Sequence, residues 1–386
     1  MVVNIIIQTL IVLSVSIMVG ELFEQFKFPA VVGYLLSGLL IGPFTFNFIQ
    51  SSVELQSLSS LSLFFIIFLL GIEMKTEFVI KYFKPAVKMT ITSFILPLAV
   101  AFTLSALLFD FPLKSDFIIA LAVAVPSISI ISVLVMRFKL TRDPRGITVV
   151  GSVIITDVIA FLLLGLTYKT VLDAILVVIY FVIFLIIFLN IDKLLNKGSK
   201  SLLEHISRAN KLFKSEHFSY AIIIISGLLV GVISELIGVN YIMGVFFAGL
   251  IIHEGLIGRT LFHKIRRTLK RMNDGFFIPL FFGIAGIEVS GFSVIKAYIP
   301  EIIFISVALI SFSLLINYFF SKRIMSVKNR KWRIKISAII NGRGAVGIAI
   351  ATIALRVGVI TPVAYSIVIL ATILISLIAT ALLRNG

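Results

Sequence analysis

The chain has 386 residues, 60% of them hydrophobic and 13% charged, and its 34 Lys and Arg against 18 Asp and Glu give a net charge of +16. Soluble domains sit nearer 45–50% apolar and about 25% charged, so the repeated apolar runs of about 20 residues describe an all-α polytopic membrane protein and exclude a soluble one. The positive charge is then read as loop topology and not as a nucleic-acid surface, and the absence of cysteine excludes disulfides, iron–sulfur clusters and thiolate metal sites.

Thirteen hydrophobic segments are predicted to cross the membrane, at 4–24, 29–48, 55–74, 88–109, 115–136, 147–168, 170–190, 219–238, 240–253, 275–289, 297–319, 335–356 and 362–383. The first, within MVVNIIIQTLIVLSVSIMVG, has neither the basic n-region nor a clear small-residue cleavage site of a signal peptide, and is expected to be retained. Segments 240–253 and 275–289 are short for a full crossing, so a re-entrant or tilted element competes there. The basic, partly amphipathic stretch 191–218 is expected to lie along the membrane interface as a linker between two membrane halves. No attached soluble domain is expected. His205, His217, His253 and His263 all fall in or beside loops, which argues against a buried zinc or haem site, and no cofactor is expected.

Loop charge tests this count independently. Alternate loops, running from Lys75–Lys88, Arg137–Arg145, Lys193–Lys214, Arg259–Arg271 and Lys322–Lys335, together with Lys27 and Arg384, hold 29 of the 34 basic residues. The opposite loops hold only Lys114, Lys169, Lys296 and Arg356, and Arg343 lies within a span. The positive-inside rule then places the N-terminus outside and the C-terminus in the cytoplasm.

Charges at mid-bilayer are expensive and are functional candidates by default. Glu73, Glu235 and Glu288 lie near segment ends and read as boundary residues. Asp157 differs: it lies about ten residues from each end of 147–168, with Thr156 and Ser152 as its polar company. Two other segments break their own pattern at that depth. In 115–136 the centre is Pro126, followed by Ser127, Ser129 and Ser132; a mid-helix proline removes a backbone bond and clashes with the preceding turn. In 335–356 the centre reads Asn341, Gly342, Arg343, Gly344, then Gly347, a poor helix interior.

Each broken segment is the second of a three-helix set, 88–168 and 297–383, and the two sets start from opposite sides of the membrane. That is an inverted-topology repeat, and paired interrupted helices in corresponding positions are the best sequence pointer to a transporter site. The half-helix ends supply partial charges of both signs. We therefore expect an oxygen cage for a hard, small cation, built from Asp157, hydroxyls of Thr156 or Ser152, and carbonyls around Pro126–Ser129, the stretch that holds Ser127 and Ser129. Because Asp157 can hold either a proton or a cation, the two compete for one site, and that competition suffices for antiport. Arg343 is expected to offset negative half-helix ends at the crossing or to pair with a carboxylate, the structural role being favoured.

At these residues the chain resembles the prokaryotic monovalent cation:proton antiporters of the Kef and NapA type. The matching pieces are FPAVVGYLLSGLLIGP (28–43), FLLGIEM (68–74), GSVIITDVIA (151–160), ELIGVNYIMGVFFAGLI (235–251), FFIPLFFGIAGIE (276–288) and NGRGAVGIAIA (341–351), in order over most of the chain. The resemblance implies an NhaA-like antiporter fold with two crossed discontinuous helices, in a homodimer of 13-helix protomers in the cell membrane. It implies core repeats at 88–168 and 297–383, scaffold and dimerisation helices at 1–87 and 170–289, and elevator-type alternating access. It also implies that Asp157 matches the family's ion-binding aspartate. Electrogenic relatives carry two adjacent acids where this chain has Thr156 and Asp157, and a lysine midway along the segment where VIKAYIPEIIFISVALISFSLLINYFF has none. Both departures predict electroneutral exchange. The nucleotide-binding C-terminal domain of the Kef potassium efflux systems is not expected after the last span, which weighs against ligand-gated potassium efflux. The expected activity is Na+/H+ antiport, with K+/H+ antiport the close alternative and a sodium-coupled organic anion symporter more distant; Li+ is a further candidate cation. One mid-membrane acid without a histidine partner argues against a membrane-embedded hydrolase, and no continuous polar stripe suggests a channel.

Overall fold

The computed structural model describes residues 5–73, 83–127, 143–167, 216–236, 241–252 and 254–384, with single positions 131, 135, 138, 140, 175, 179 and 183. The segment expected at 170–190 and the linker at 191–218 lie largely outside the described residues, as does Ser129. The elements are helices: α1 (Ile5–Gln25), α2 (Ala30–Ile41), α3 (Val53–Glu73), α4 (Phe83–Leu108), α5 (Leu113–Ala124), α6 (Pro144–Thr167) and α7 (Glu216–Leu236). Then follow α8 (Tyr241–Ile251), α9 (Arg259–Met272), α10 (Ile278–Ile287), α11 (Ile299–Ile324), α12 (Arg330–Ile340), α13 (Ala345–Arg356) and α14 (Pro362–Arg384). Among the described residues, seven helical runs are long and apolar enough to cross a membrane: α1, α3, α4, α6, α7, the run Phe292–Ile324 that contains α11, and α14.

Local chemistry sets the lengths. Pro97 lies inside α4, and the helix carries it by widening into a π turn over Ile91–Ile95, so the ladder is already displaced before the missing N–H is reached. α2 stops at Ile41 and not near residue 48, because Gly42 turns extended (φ −83°, ψ −175°) ahead of Pro43. The chain then folds back, Ile49 N–H donating to the Ile41 carbonyl at 3.0 Å.

The chain divides into two compact units. The first comprises Met1–Ser60, Lys75–Thr167 and Pro279–Gly386. In it α5 packs on α4, α6, α13 and α14, and α11 packs on α4, α12 and α14. A buried cluster including Met89, Val149, Val153, Ile336, Ile339 and Leu383 draws on helices from both three-helix sets. α2 and α10 cross backbone to backbone: a Cβ on Gly38 would lie 2.0 Å from the Gly283 carbonyl oxygen, and one on Gly286 would lie 2.3 Å from that of Leu35. α1 instead leaves Ile6, Leu10 and Met18 exposed, as a lipid-facing helix does.

The second unit comprises Leu61–Met74 and Tyr168–Ile278. Here α7 packs on α8, and the residues expected as a basic loop after 253 form α9. This helix buries Phe262, Ile265 and Leu269 and turns its basic residues outward, an amphipathic arrangement that overall polarity conceals. Arg266 meets Glu73 at 3.3 Å, so that boundary carboxylate has an ionic partner.

Candidate functional site: two interrupted helices beside a buried aspartate

α5 ends at Ala124 because Pro126 cannot donate and because the residue before a proline avoids helical geometry; Val125 is extended at φ −68°, ψ 121°. The four residues between α12 and α13 break the second helix in the same manner. Asn341 and Gly342 close the end of α12 with bonds of 3.1 Å to the Ala338 and Ile339 carbonyls, and Gly344 then carries the chain, extended, into α13. The two interruptions meet. Pro126 and Arg343 form an antiparallel bridge, and Ser127 N–H donates to the Gly342 carbonyl at 2.7 Å. From α14, Ser376 Oγ donates to the Arg343 carbonyl at 2.7 Å.

This junction gathers helix ends of opposite character. α5 and α12 present C-terminal carbonyls there, and α13 presents its first N–H groups. Arg343 is 1% exposed, and its Nη1 donates to the Ala124 carbonyl, the last of α5. A buried cation on the negative end of a half-helix is placed where the field favours it. Its Nε and Nη2 have no hydrogen-bond partner, and among the described residues it forms no ion pair. Gly347, in the first turn of α13, lets that helix touch α5: a Cβ there would lie 2.1 Å from the Ala122 carbonyl oxygen.

α6 packs against both α5 and α13 and carries Asp157 near its middle. Asp157 is fully buried, and neither carboxyl oxygen has a hydrogen-bond partner. Thr156 Oγ1, Ser127 Oγ and Asn341 Oδ1 are likewise buried and unpartnered. Buried polar atoms are ordinarily satisfied, and each exception asks for an explanation. Ser152 differs from the others, since its hydroxyl donates to Val149 within the same helix at 2.7 Å and its carbonyl accepts from Thr90 Oγ1 at 3.0 Å. Ser152 serves chiefly to fasten α4 to α6. Among the described residues no group of three His, Asp or Glu is arranged to hold a metal ion.

Sequence reading missed one feature of this unit. Glu288 and Arg356, read as a boundary residue and a loop cation, are paired, and the Glu288 side chain is only 4% exposed. Nothing in the local sequence of either residue signals the pairing.

Two interrupted helices that meet at their breaks, packed against a helix with a buried acid in an apolar helical protein, are the mark of a secondary transporter. The chain belongs to the sodium/hydrogen exchanger family, whose transmembrane model matches residues 10–384. It is 24% identical over 288 residues to the probable Na(+)/H(+) antiporter 3 of Methanocaldococcus jannaschii, covering 72% of this chain and 70% of that one. It is 24% identical over 373 residues to the Na(+)/H(+) antiporter of Enterococcus hirae, covering 95% and 93%. In fold it is similar to the solved structure of the sodium proton antiporter MjNhaP1 of Methanocaldococcus jannaschii, with a TM-score of 0.69, 16% identity and coverage of 98% and 96%. The protein is thus a multi-pass membrane cation/proton antiporter, a transporter and not an enzyme by family.

Proposed function

We propose that the chain exchanges Na+ for H+ with one-to-one stoichiometry, the two ions competing for the carboxyl of Asp157. One observation carries this: both oxygens of Asp157 are buried without a partner, on a helix packed against both interrupted helices. The unpartnered oxygens of Thr156, Ser127 and Asn341 supply further hard ligands of the kind that suits a small alkali cation; Ser129 is the remaining candidate. Pro126, Asn341, Gly342, Arg343 and Gly344 form the crossover that sets the helix ends around it. Electroneutrality follows from having a single mid-membrane acid. Thr156 precedes Asp157, and the basic residues of α11 are confined to its last turn, at Lys322 and Arg323.

In this reading 88–168 and 297–383 are inverted repeats within a 13-span protomer. They move as the transporting set against 1–87 and 170–289, in a homodimer with its C-terminus in the cytoplasm. The test is transport in proteoliposomes, with internal pH read by a dye while Na+, Li+ or K+ is added outside. Asp157→Asn is expected to abolish cation-dependent proton flux; flux at the wild-type rate would end the proposal. An imposed membrane potential is expected to leave the rate unchanged, and a strong potential dependence would refute the stoichiometry. A larger response to K+ than to Na+ would change the cation.

A further inference from the structure

The end of α13 remote from the junction carries an ionic cluster that the exchange mechanism leaves unused. Arg356 is the last residue of α13. Its Nη1 donates to the Gln56 carbonyl of α3 at 2.6 Å and also to Ser60 Oγ, and its Nη2 stands 3.5 Å from Glu288 Oε1, one residue beyond α10. The second oxygen of Glu288 is buried and unpartnered. Tyr365 of α14, fully buried, donates to the Ala285 carbonyl at 3.0 Å and lies against the side chains of Glu288 and Thr352. Thr352 is one turn before Arg356 on the same face of α13, and its hydroxyl is buried without a hydrogen-bond partner. A carboxylate this deep is costly unless a cation accompanies it, and removing either partner leaves the other exposed to that cost. One arginine therefore fastens α13 to two other helices at once.

α13 begins at the junction with its backbone pressed on Ala122, and it ends in this cluster. Over its 12 residues it is a strut about 18 Å long. We infer that the Arg356–Glu288 pair is a latch that holds this strut to α3 and α10 and must open once in each exchange cycle. The inference rests on the reading above, in which α13 belongs to the moving set and α3 and α10 to the frame. A pair that served only as a static contact would tolerate being tied shut.

The chain has no cysteine of its own, so introduced thiols are the only ones present. Gln56→Cys with Val357→Cys places two thiols beside the cluster, and both native residues are exposed and outside the ion site. Exchange is measured in proteoliposomes before treatment with a short bifunctional thiosulfonate, after it, and after reduction. Each single-cysteine chain, given the same reagent, controls for simple modification. The expected result is at least a tenfold loss of rate on cross-linking, fully restored by reductant, with the single-cysteine chains unaffected. Cross-linked chains that exchange at the uncross-linked rate would overturn the latch. Absence of cation-dependent flux from the unmodified chain would instead overturn the exchange reading, so the two failures are distinct. A second pair, Glu288→Cys with Arg356→Cys, removes the ion pair itself. Linking it is expected to stop whatever exchange the reduced form retains.

Discussion

Replacing Gly347 by alanine adds one carbon at the tightest point of the junction. That carbon would stand 2.1 Å from the Ala122 carbonyl oxygen, where ordinary carbon–oxygen contacts lie at about 3.3–3.6 Å. About 1.2 Å of separation must therefore open between α13 and α5. Two stability effects oppose each other. Alanine gains about 1 kcal/mol over glycine in a helix interior, and overpacking costs about 1–3 kcal/mol. The net loss of stability is thus at most about 2 kcal/mol, a shift of a few degrees in melting temperature for a chain of this size. Exchange suffers far more, because Pro126, Ser127, Gly342 and Arg343 are joined across the same contact. A misplacement of about 1 Å among groups that must act in register costs on the order of a hundredfold. The assay pairs dye-reported exchange in proteoliposomes with thermal melting in detergent. Gly275→Ala is the control, since nothing lies within 4 Å of a Cβ there. Gly347→Ala is expected to lose at least tenfold in rate with near-native melting, and Gly275→Ala to change neither. A Gly347→Ala chain exchanging at the wild-type rate would refute the role given to this close approach.

Two further perturbations address the surroundings of the site. Ser105 Oγ donates to Asp116 Oδ1 at 2.7 Å in a buried contact between α4 and α5; Ser105→Ala is expected to cost about 1–3 kcal/mol, read by thermal melting, while exchange by the remaining folded protein persists. At the start of α6, hydrogen bonds from the Arg145 side chain hold the Asp143 carboxyl below the usual carboxylate range. A lowered folded-state value means a contribution present above the unfolded value of about 3.9 and lost as pH falls through the folded one. Asp143→Asn is therefore expected to melt below the wild type at neutral pH, by less than about 1 kcal/mol for so accessible a pair. The two curves are expected to start converging as pH falls below about 4 and to meet once it is below the lowered folded value, and a difference that failed to shrink over that range would contradict the assignment.

Continuous apolar runs were the most legible part of the fold. α1 and α14 begin and end within a residue or two of their expected bounds, since nothing but hydropathy decides where a lipid-immersed helix stops. Both interruptions were legible for a local reason as well, because proline lacks a donor and Asn-Gly-Arg-Gly is a poor helix. α2 was not, because residues 44–49 are apolar enough to continue a span and only Gly42–Pro43 turns them aside. α9 was hidden by its own charge, though lysine, arginine and leucine are good helix formers. At the site, Asp157 announced itself as a charge in an apolar run. Whether a hydroxyl is free could not be read so: Ser152 and Thr156 look alike in sequence, and only the fold commits one of them to its own helix. The Glu288–Arg356 pair joins residues far apart in the chain, and a single sequence holds no record of such a contact.

The crossing of α2 and α10 at Gly38, Gly283 and Gly286 has a consequence for how the protein withstands its surroundings. In a bilayer the solvent is itself hydrocarbon, so burying leucine against leucine gains little, and helices associate where backbones can approach closely. A seam of main-chain atoms draws its cohesion from dispersion and from weak Cα–H···O contacts, which do not depend on water's reluctance to wet oil. Cooling, which weakens association driven by water, leaves such a seam untouched. Exchanging lipid for detergent is expected to disturb it little, because at Gly38 and Gly286 no side chain stands between the two backbones.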